Sequence, residues 1–208
     1  MENLDYARLQ MAFTLGFHII FACIGMVMPF FMVVAHRKWL KTRNPVYLKL
    51  TKAWLKGVAI FFVTGAVSGT ALSFELGMLW PEFMKHAGPI IGMPFSLEGA
   101  AFFVEAIALG FYLYGWDKLP EKFHWFTGII IGVAGVASGI LVVSANGWMN
   151  APSGFEYVNG EFTNIDPVQA LLNPAWFTQA LHMTLAAFVA TSFGVAGVHA
   201  FQIFRKRN

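Results

Sequence analysis

Apolar residues run through this chain in five blocks separated by charged, proline-bearing or glycine-bearing connections. A hydrocarbon core about 30 Å thick needs about 20 apolar residues in a helix. By that measure Met11–Ala35, Gly57–Trp80, Phe95–Gly115, Trp125–Gly147 and Ala175–Phe204 are predicted transmembrane helices. The last is longer than a span requires, so tilt or extension beyond the bilayer is expected. Pro29 falls inside the first block and predicts a kink, because its ring removes a backbone donor. Gly65 and Gly69 form a GxxxG step, and Gly132, Gly135 and Gly139 give the fourth block small faces, so both read as packing seams. The polar connection 148–174 contains Asp166-Pro167, an N-cap followed by a first-turn proline, which predicts a short surface helix before Pro174.

The basic residues orient these helices. With the amino terminus outside, twelve of the 14 Lys and Arg lie on the inner side, leaving Arg8 and Lys85 outside. The expectation is an outside amino terminus, an inside carboxyl terminus and an outward-facing 148–174 loop. Composition agrees: 57% of the 208 residues are hydrophobic and 12% charged, against about 25% charged in soluble domains. The formal charge of +3 is a topology signal and an attraction to anionic headgroups in the lipid bilayer, so no nucleic acid is expected as a partner. Met1–Gln10 is polar and acidic with no basic n-region, so no cleavable signal peptide is expected. The single cysteine, Cys23, allows neither an intrachain disulfide nor a CxxCH haem attachment. GVAGVASG matches a glycine-rich pattern but lies in a span with no preceding strand, so it reads as packing.

Four polar residues change the picture. Glu98 and Glu105 interrupt PFSLEGAAFFVEAIALGFYLYG, and a carboxylate in hydrocarbon costs at least a few kcal/mol. Their spacing of seven is two helical turns, about 10 Å along one stripe. They suggest a proton relay; the competing reading is a neutral carboxyl bonded to Ser138 or to a backbone carbonyl. His18 and His182 fall near the outer ends of the first and fifth spans, roughly 7–11 Å deep. Two imidazoles at one level with buried acids nearby suggest metal ligation, of haem iron above all. The competing reading has each bonding a helix carbonyl, serine or threonine. His36 and His199 read as interfacial, and the separations His18–His36 and His182–His199, about 26 Å of helix, do not suit ligand pairs. His86 and His124 read as loop residues, and Glu75 as an interfacial, solvated carboxylate.

The segments ARLQMAFTLGFHIIF, PFSLEGAAFFVEA, GWDKL, SANGWMNAP and LNPAWFTQALH resemble, in order and spacing, the amino-terminal part of subunit I of cytochrome bd quinol oxidases. The resemblance covers essentially the whole chain but less than half of a full-length member. It implies that His18 is an axial ligand of a high-spin haem, with Arg8 near haem propionates, and that His182 is an axial ligand of the low-spin haem b. It also implies a proton path through Glu98, Glu105 and Ser138, with Asn146 and Trp148 beside the haems. Haem d is a further candidate cofactor, and quinol or quinone the expected substrate. Asn150 stands where members commonly have glutamine, and Leu141 where they often have tryptophan.

The family's later helices, which carry the methionine opposite His182, a glutamate ligand and the long quinol-site loop, have no counterpart here. Other membrane subunits are therefore expected to supply them, with Met149 and Met183 as in-chain candidates for the sixth ligand. FRKRN reads as a basic inner-face stop, so a split subunit or a small relative is expected. Three functional readings follow: a haem-bearing electron-transfer subunit that exchanges electrons with quinol and contributes to O2 reduction with a partner chain; a cytochrome b relaying electrons between quinone and another complex without O2 reduction; or a non-catalytic scaffold.

Overall fold

The computed structural model describes residues 2–205, with the side chain of residue 2 excepted. The terminal Lys206 and Arg207, counted above toward the inner side, lie outside the described residues. Six helices and one small hairpin follow in order: α1 (Glu2–Thr42), α2 (Pro45–Leu79), α3 (Pro81–Tyr114), α4 (Glu121–Asn150), β1 (Glu156–Val158), β2 (Glu161–Thr163), α5 (Pro167–Leu171) and α6 (Trp176–Phe204). Five of them, all but α5, are long and apolar enough to cross a membrane. The fold is all-α apart from the hairpin.

The helices overrun the predicted spans. At 1.5 Å per residue, the 41-residue α1 is about 60 Å long, twice a hydrocarbon core. The apolar window marks only the part of each helix that lipid would cover, while backbone hydrogen bonding continues through the polar flanks. Pro29 does not interrupt α1, and Pro89 and Pro94 lie inside α3. Residues 81–94, including His86, are therefore helix rather than loop, which corrects the sequence reading.

The turns carry ordinary local chemistry. Arg43 adopts φ 55°, and its N–H donates to the Trp39 carbonyl at 2.7 Å, an αL stop for α1. Asn44 then caps α2 by accepting from the Val46 N–H at 2.9 Å, with Pro45 in the first turn. In the 148–174 connection, Asp166 accepts from the Val168 and Gln169 N–H groups and starts α5, as expected. The hairpin was not anticipated. Val158 pairs with Glu161 across Asn159-Gly160, both at positive φ, the pattern of a two-residue type I′ turn.

Packing is antiparallel between sequence neighbours. Helix α1 lies against α2, α4 and α6, and α4 lies against α3, α1 and α6, so these two helices form the centre. One apolar core, including Met32, Leu55, Val58, Leu109 and Ile131, joins α1–α4 toward the Lys/Arg-rich end. A second, at the opposite end, seats Phe155, Phe162 and Ile165 of the connection on α3 and α4 around Ile90, Ile91 and Trp148. The connection is thus docked: the Trp148 indole N–H donates to the Ser153 carbonyl at 2.9 Å, and the buried Asn173 amide donates to the Ser144 and Ala170 carbonyls.

The small-residue seams separate into two kinds. A methyl group on Gly132, Gly135 or Gly139 would press on Phe30, Glu105, or Met183 and Met26 respectively, so the α4 glycines do make room for neighbours. Of the GxxxG step in α2, only Gly69 is close to anything, and it faces the His18 ring; Gly65 has nothing within 4 Å.

Candidate functional site: two polar stripes across the bundle

The first stripe joins α1 to α2 at the end remote from most of the basic residues. His18 Nδ1 lies 2.9 Å from Ser68 Oγ. The Ser68 hydroxyl has one proton, and it is placed to donate to the Thr64 carbonyl at 2.8 Å. The oxygen can then only accept from the ring, which puts the histidine proton on Nδ1 and leaves the Nε2 lone pair free. A second hydrogen-bonding partner on one ring nitrogen, fixing tautomer and orientation, is the usual arrangement for a metal-binding imidazole. One turn before His18, the Thr14 hydroxyl donates to Glu75 Oε1 at 2.7 Å, and the Gln10 amide reaches the same oxygen at 3.2 Å. Glu75 is buried rather than solvated, correcting the sequence reading, and its Oε2 is buried without a partner. Helix pairing causes this: the antiparallel α1 folds over the carboxylate, which no hydropathy window of α2 could register.

The second stripe joins α3 to α4 and α1. Glu98, Glu105 and Tyr112 repeat every seven residues on α3. Across from them on α4, Ser138 donates to Glu98 Oε1 at 3.0 Å, Gly135 lies against the Glu105 carboxyl, and Gly128 lies against the Tyr112 ring. Glu105 is buried, and no hydrogen bond to its carboxyl forms among the described residues. The Glu98–Ser138 bond is the contact anticipated in the competing, structural reading, and it equally joins two members of the supposed relay.

At the basic end this stripe closes in a cluster that the sequence reading missed. His36 is fully buried, not interfacial, and its Nδ1 is 2.6 Å from the Tyr112 hydroxyl. His124 is a buried residue of α4, not a loop residue, and its Nε2 donates to the Tyr112 carbonyl at 2.8 Å. Both misreadings share a cause: Arg37 and the Glu121–Lys122 pair make the sequence around these histidines look solvated, whereas the rings turn inward between helices.

The other site residues are not gathered. His182 is exposed on α6, with no hydrogen bond among the described residues, and Arg8 is exposed on α1. Asn146, also exposed, donates to Gln179 at 2.8 Å, which ties α4 to the start of α6 on the His182 side. Trp148 is buried and anchors the connection. Met183 touches Gly139 from α6, while Met149 is exposed at the other end of α4's last turns. Among the described residues no group of three His, Cys, Asp or Glu side chains forms a metal site from protein ligands alone. Single imidazoles with a free nitrogen suit a macrocycle that brings its own four donors.

Comparison with known proteins decides the family. Residues 6–208 match the family model described as cytochrome bd terminal oxidase subunit I. The chain belongs to that family. Over its full length it is 35% identical to a putative cytochrome bd menaquinol oxidase subunit I of Bacillus subtilis (strain 168) and 31% identical to the cytochrome bd ubiquinol oxidase subunit 1 of the same organism, spanning 47% and 44% of those proteins. The bd oxidase structure from Geobacillus thermodenitrificans superposes on 99% of the chain with a TM-score of 0.94 at 35% identity, using 48% of its own chain. The chain thus spans about half the length of these relatives and corresponds to a multi-pass membrane part of a bacterial respiratory oxidase subunit.

Proposed function

We propose that this chain is the haem-bearing, electron-transferring part of a cytochrome bd-type membrane complex that oxidises quinol. Its amino terminus faces outward, and further membrane helices supply the remaining haem ligands. The carrying observation is the His18 imidazole, whose Nδ1 is claimed by Ser68 so that Nε2 presents a lone pair. His182, with neither nitrogen engaged, fits the same role for a second haem, the low-spin haem b. Bound there, haem would supply reversible one-electron transfer and, at a high-spin site, a place for O2. The chain's own part is to hold His18 in one tautomer, to keep the Glu75 carboxylate bonded to Thr14 and Gln10 nearby, and to store or pass protons at Glu98 and Glu105. Arg8 at the outer end would meet a propionate, and Asn146 and Trp148 would stand beside the haems. Haem d and the quinone-binding loop belong to the same proposal and depend on helices beyond those described.

The test is a reduced-minus-oxidised spectrum with pyridine haemochrome typing on the membrane complex purified through this chain. A b-type signal that is lost in His182→Ala is expected. A complex with no Soret band overturns the proposal and favours a scaffold. Quinol-driven O2 consumption abolished by His18→Ala assigns O2 reduction to the complex. Haem b bands without O2 consumption assign electron relay alone.

A further inference from the structure

The His36–Tyr112–His124 cluster lies at the opposite end of the bundle from His18 and His182, yet it is built like a working site. His36 is fully buried and its Nε2 has no hydrogen-bond partner. An unsatisfied buried nitrogen costs about 1–3 kcal/mol, and a phenylalanine of similar shape would avoid that cost. The His36 and His124 rings are 5.3 Å apart, and Tyr112 stacks on His124 at 4.5 Å. Charged groups from the end of α1, from α2 and from α4 surround this cluster: the exposed Arg43–Glu121 pair at 2.6 Å, Lys52 over Trp116, and Arg37 over Trp125. Inward from the cluster, Tyr112 begins the heptad stripe that continues to Glu105 and Glu98. Glycine faces both Tyr112 and Glu105 across α4.

We propose that His36 and Tyr112 form the proton intake from the Lys/Arg-rich end to Glu105, which rests on the reading of Glu105 as a proton carrier. A proton arriving from that end binds His36 Nε2. The Nδ1 proton then passes to Tyr112 Oη as the tyrosine's own hydroxyl proton leaves toward Glu105. Two helical turns separate Tyr112 from Glu105, about 10 Å, so transfer requires about three waters at ordinary hydrogen-bond spacing, admitted by movement of the Phe30 ring that packs on Gly132 between them. Glu105 takes the last proton. His36 and Tyr112 end with the proton count they began with, Glu105 gains one, and no electron moves. Tautomer exchange at His36 and rotation of the Tyr112 hydroxyl reset the path. His124, held by the Tyr112 carbonyl, is a positioning residue that fixes the tyrosine ring.

The experiment is infrared spectroscopy of the intact complex in lipid, following H2O-to-D2O exchange. The protonated Glu105 C=O stretch is the band that disappears in Glu105→Gln, and its rate of deuterium shift is the readout. Tyr112→Phe, which keeps the ring and removes only the hydroxyl, is expected to slow that rate about a hundredfold, the low end for a positioned proton-transfer group. His36→Leu is expected to do the same. A mere packing role predicts the opposite sign, since loosened helices exchange faster. An unchanged or faster rate in Tyr112→Phe overturns the proposal. So does the absence of a Glu105 band at every pH where the complex stays folded. The assay needs no haem: a complex lacking a Soret band but slowed by Tyr112→Phe would refute the proposed function and leave the intake standing.

Discussion

Replacing Gly128 by alanine separates helix propensity from interhelical packing with a single methyl group. Placed on the Gly128 backbone, that carbon would lie 2.6 Å from Tyr112 Cε2 and 2.9 Å from Val33 Cγ2, where ordinary carbon contacts are 3.5–4.0 Å. Neither neighbour is at the loose end of a flexible chain. Tyr112 is fully buried, bonded through its hydroxyl to His36 and stacked on His124, and Val33 is buried in α1. Overpacking of this kind costs about 1–3 kcal/mol, partly offset by up to about 1 kcal/mol from the better helix propensity of alanine. Gly65→Ala is the matched control, because nothing lies within 4 Å of it and only the propensity gain applies. The difference between the two variants therefore isolates the clash, and at about 2 kcal/mol it corresponds to roughly a 30-fold change in the unfolding equilibrium. Equilibrium unfolding in mixed detergent micelles, titrated with a denaturing detergent, measures it. Adding Tyr112→Leu to Gly128→Ala should recover part of the loss, since the two sites share the contact. Equal unfolding midpoints for Gly128→Ala and Gly65→Ala would refute the reasoning.

Three further outcomes are expected. Asn173→Ala removes the amide that ties the connection to the α4 carbonyl of Ser144 and should cost about 1–3 kcal/mol, read as accelerated proteolysis within 148–174 before any cut in the helices. Ser68→Ala frees the His18 ring to change tautomer and should lower haem retention about 10–100-fold, the range for partners that orient a metal ligand; unchanged retention in a haem-extraction assay counts against the assigned tautomer. Glu121→Gln breaks the Arg43 pair, but both side chains are about half exposed, so thermal midpoints in moderate salt should match those of the parent. A clear loss of stability there would mean that the pair is shielded by a partner.

The five helices were legible because each is a local property: a run of apolar residues of sufficient length specifies a membrane-long helix whatever it packs against. The short helix α5 was legible for the same reason, since Asp166 and Pro167 act on adjacent backbone. The hairpin was legible too, because Asn159-Gly160 between Val158 and Glu161 is a strong two-residue turn signal, although its strands are only three residues each. Helix ends were placed short because hydropathy reports lipid contact, not hydrogen bonding. The polar residues were harder to read. Glu98, Glu105, His18 and Ser138 stood out because they interrupt apolar runs. His36, His124 and Glu75 sit beside charged or polar neighbours in the sequence, and their burial comes from other helices.

By itself, the sequence determined that this is an α-helical membrane chain with two carboxyls on one stripe of α3, and the order of its motifs was enough to place it in its family. Those are statements about composition, period and order along one chain. Only the tertiary structure decided which polar groups meet: Ser68 with His18, Thr14 with Glu75, Ser138 with Glu98, and Tyr112 with His36. Each of those bonds joins residues 40 to 76 positions apart; three cross between antiparallel neighbours, and the Tyr112–His36 bond crosses between the parallel helices α1 and α3. A periodic pattern names the face that a helix buries. The partner waiting on that face, and hence the proton each nitrogen carries, is a property of the packed bundle.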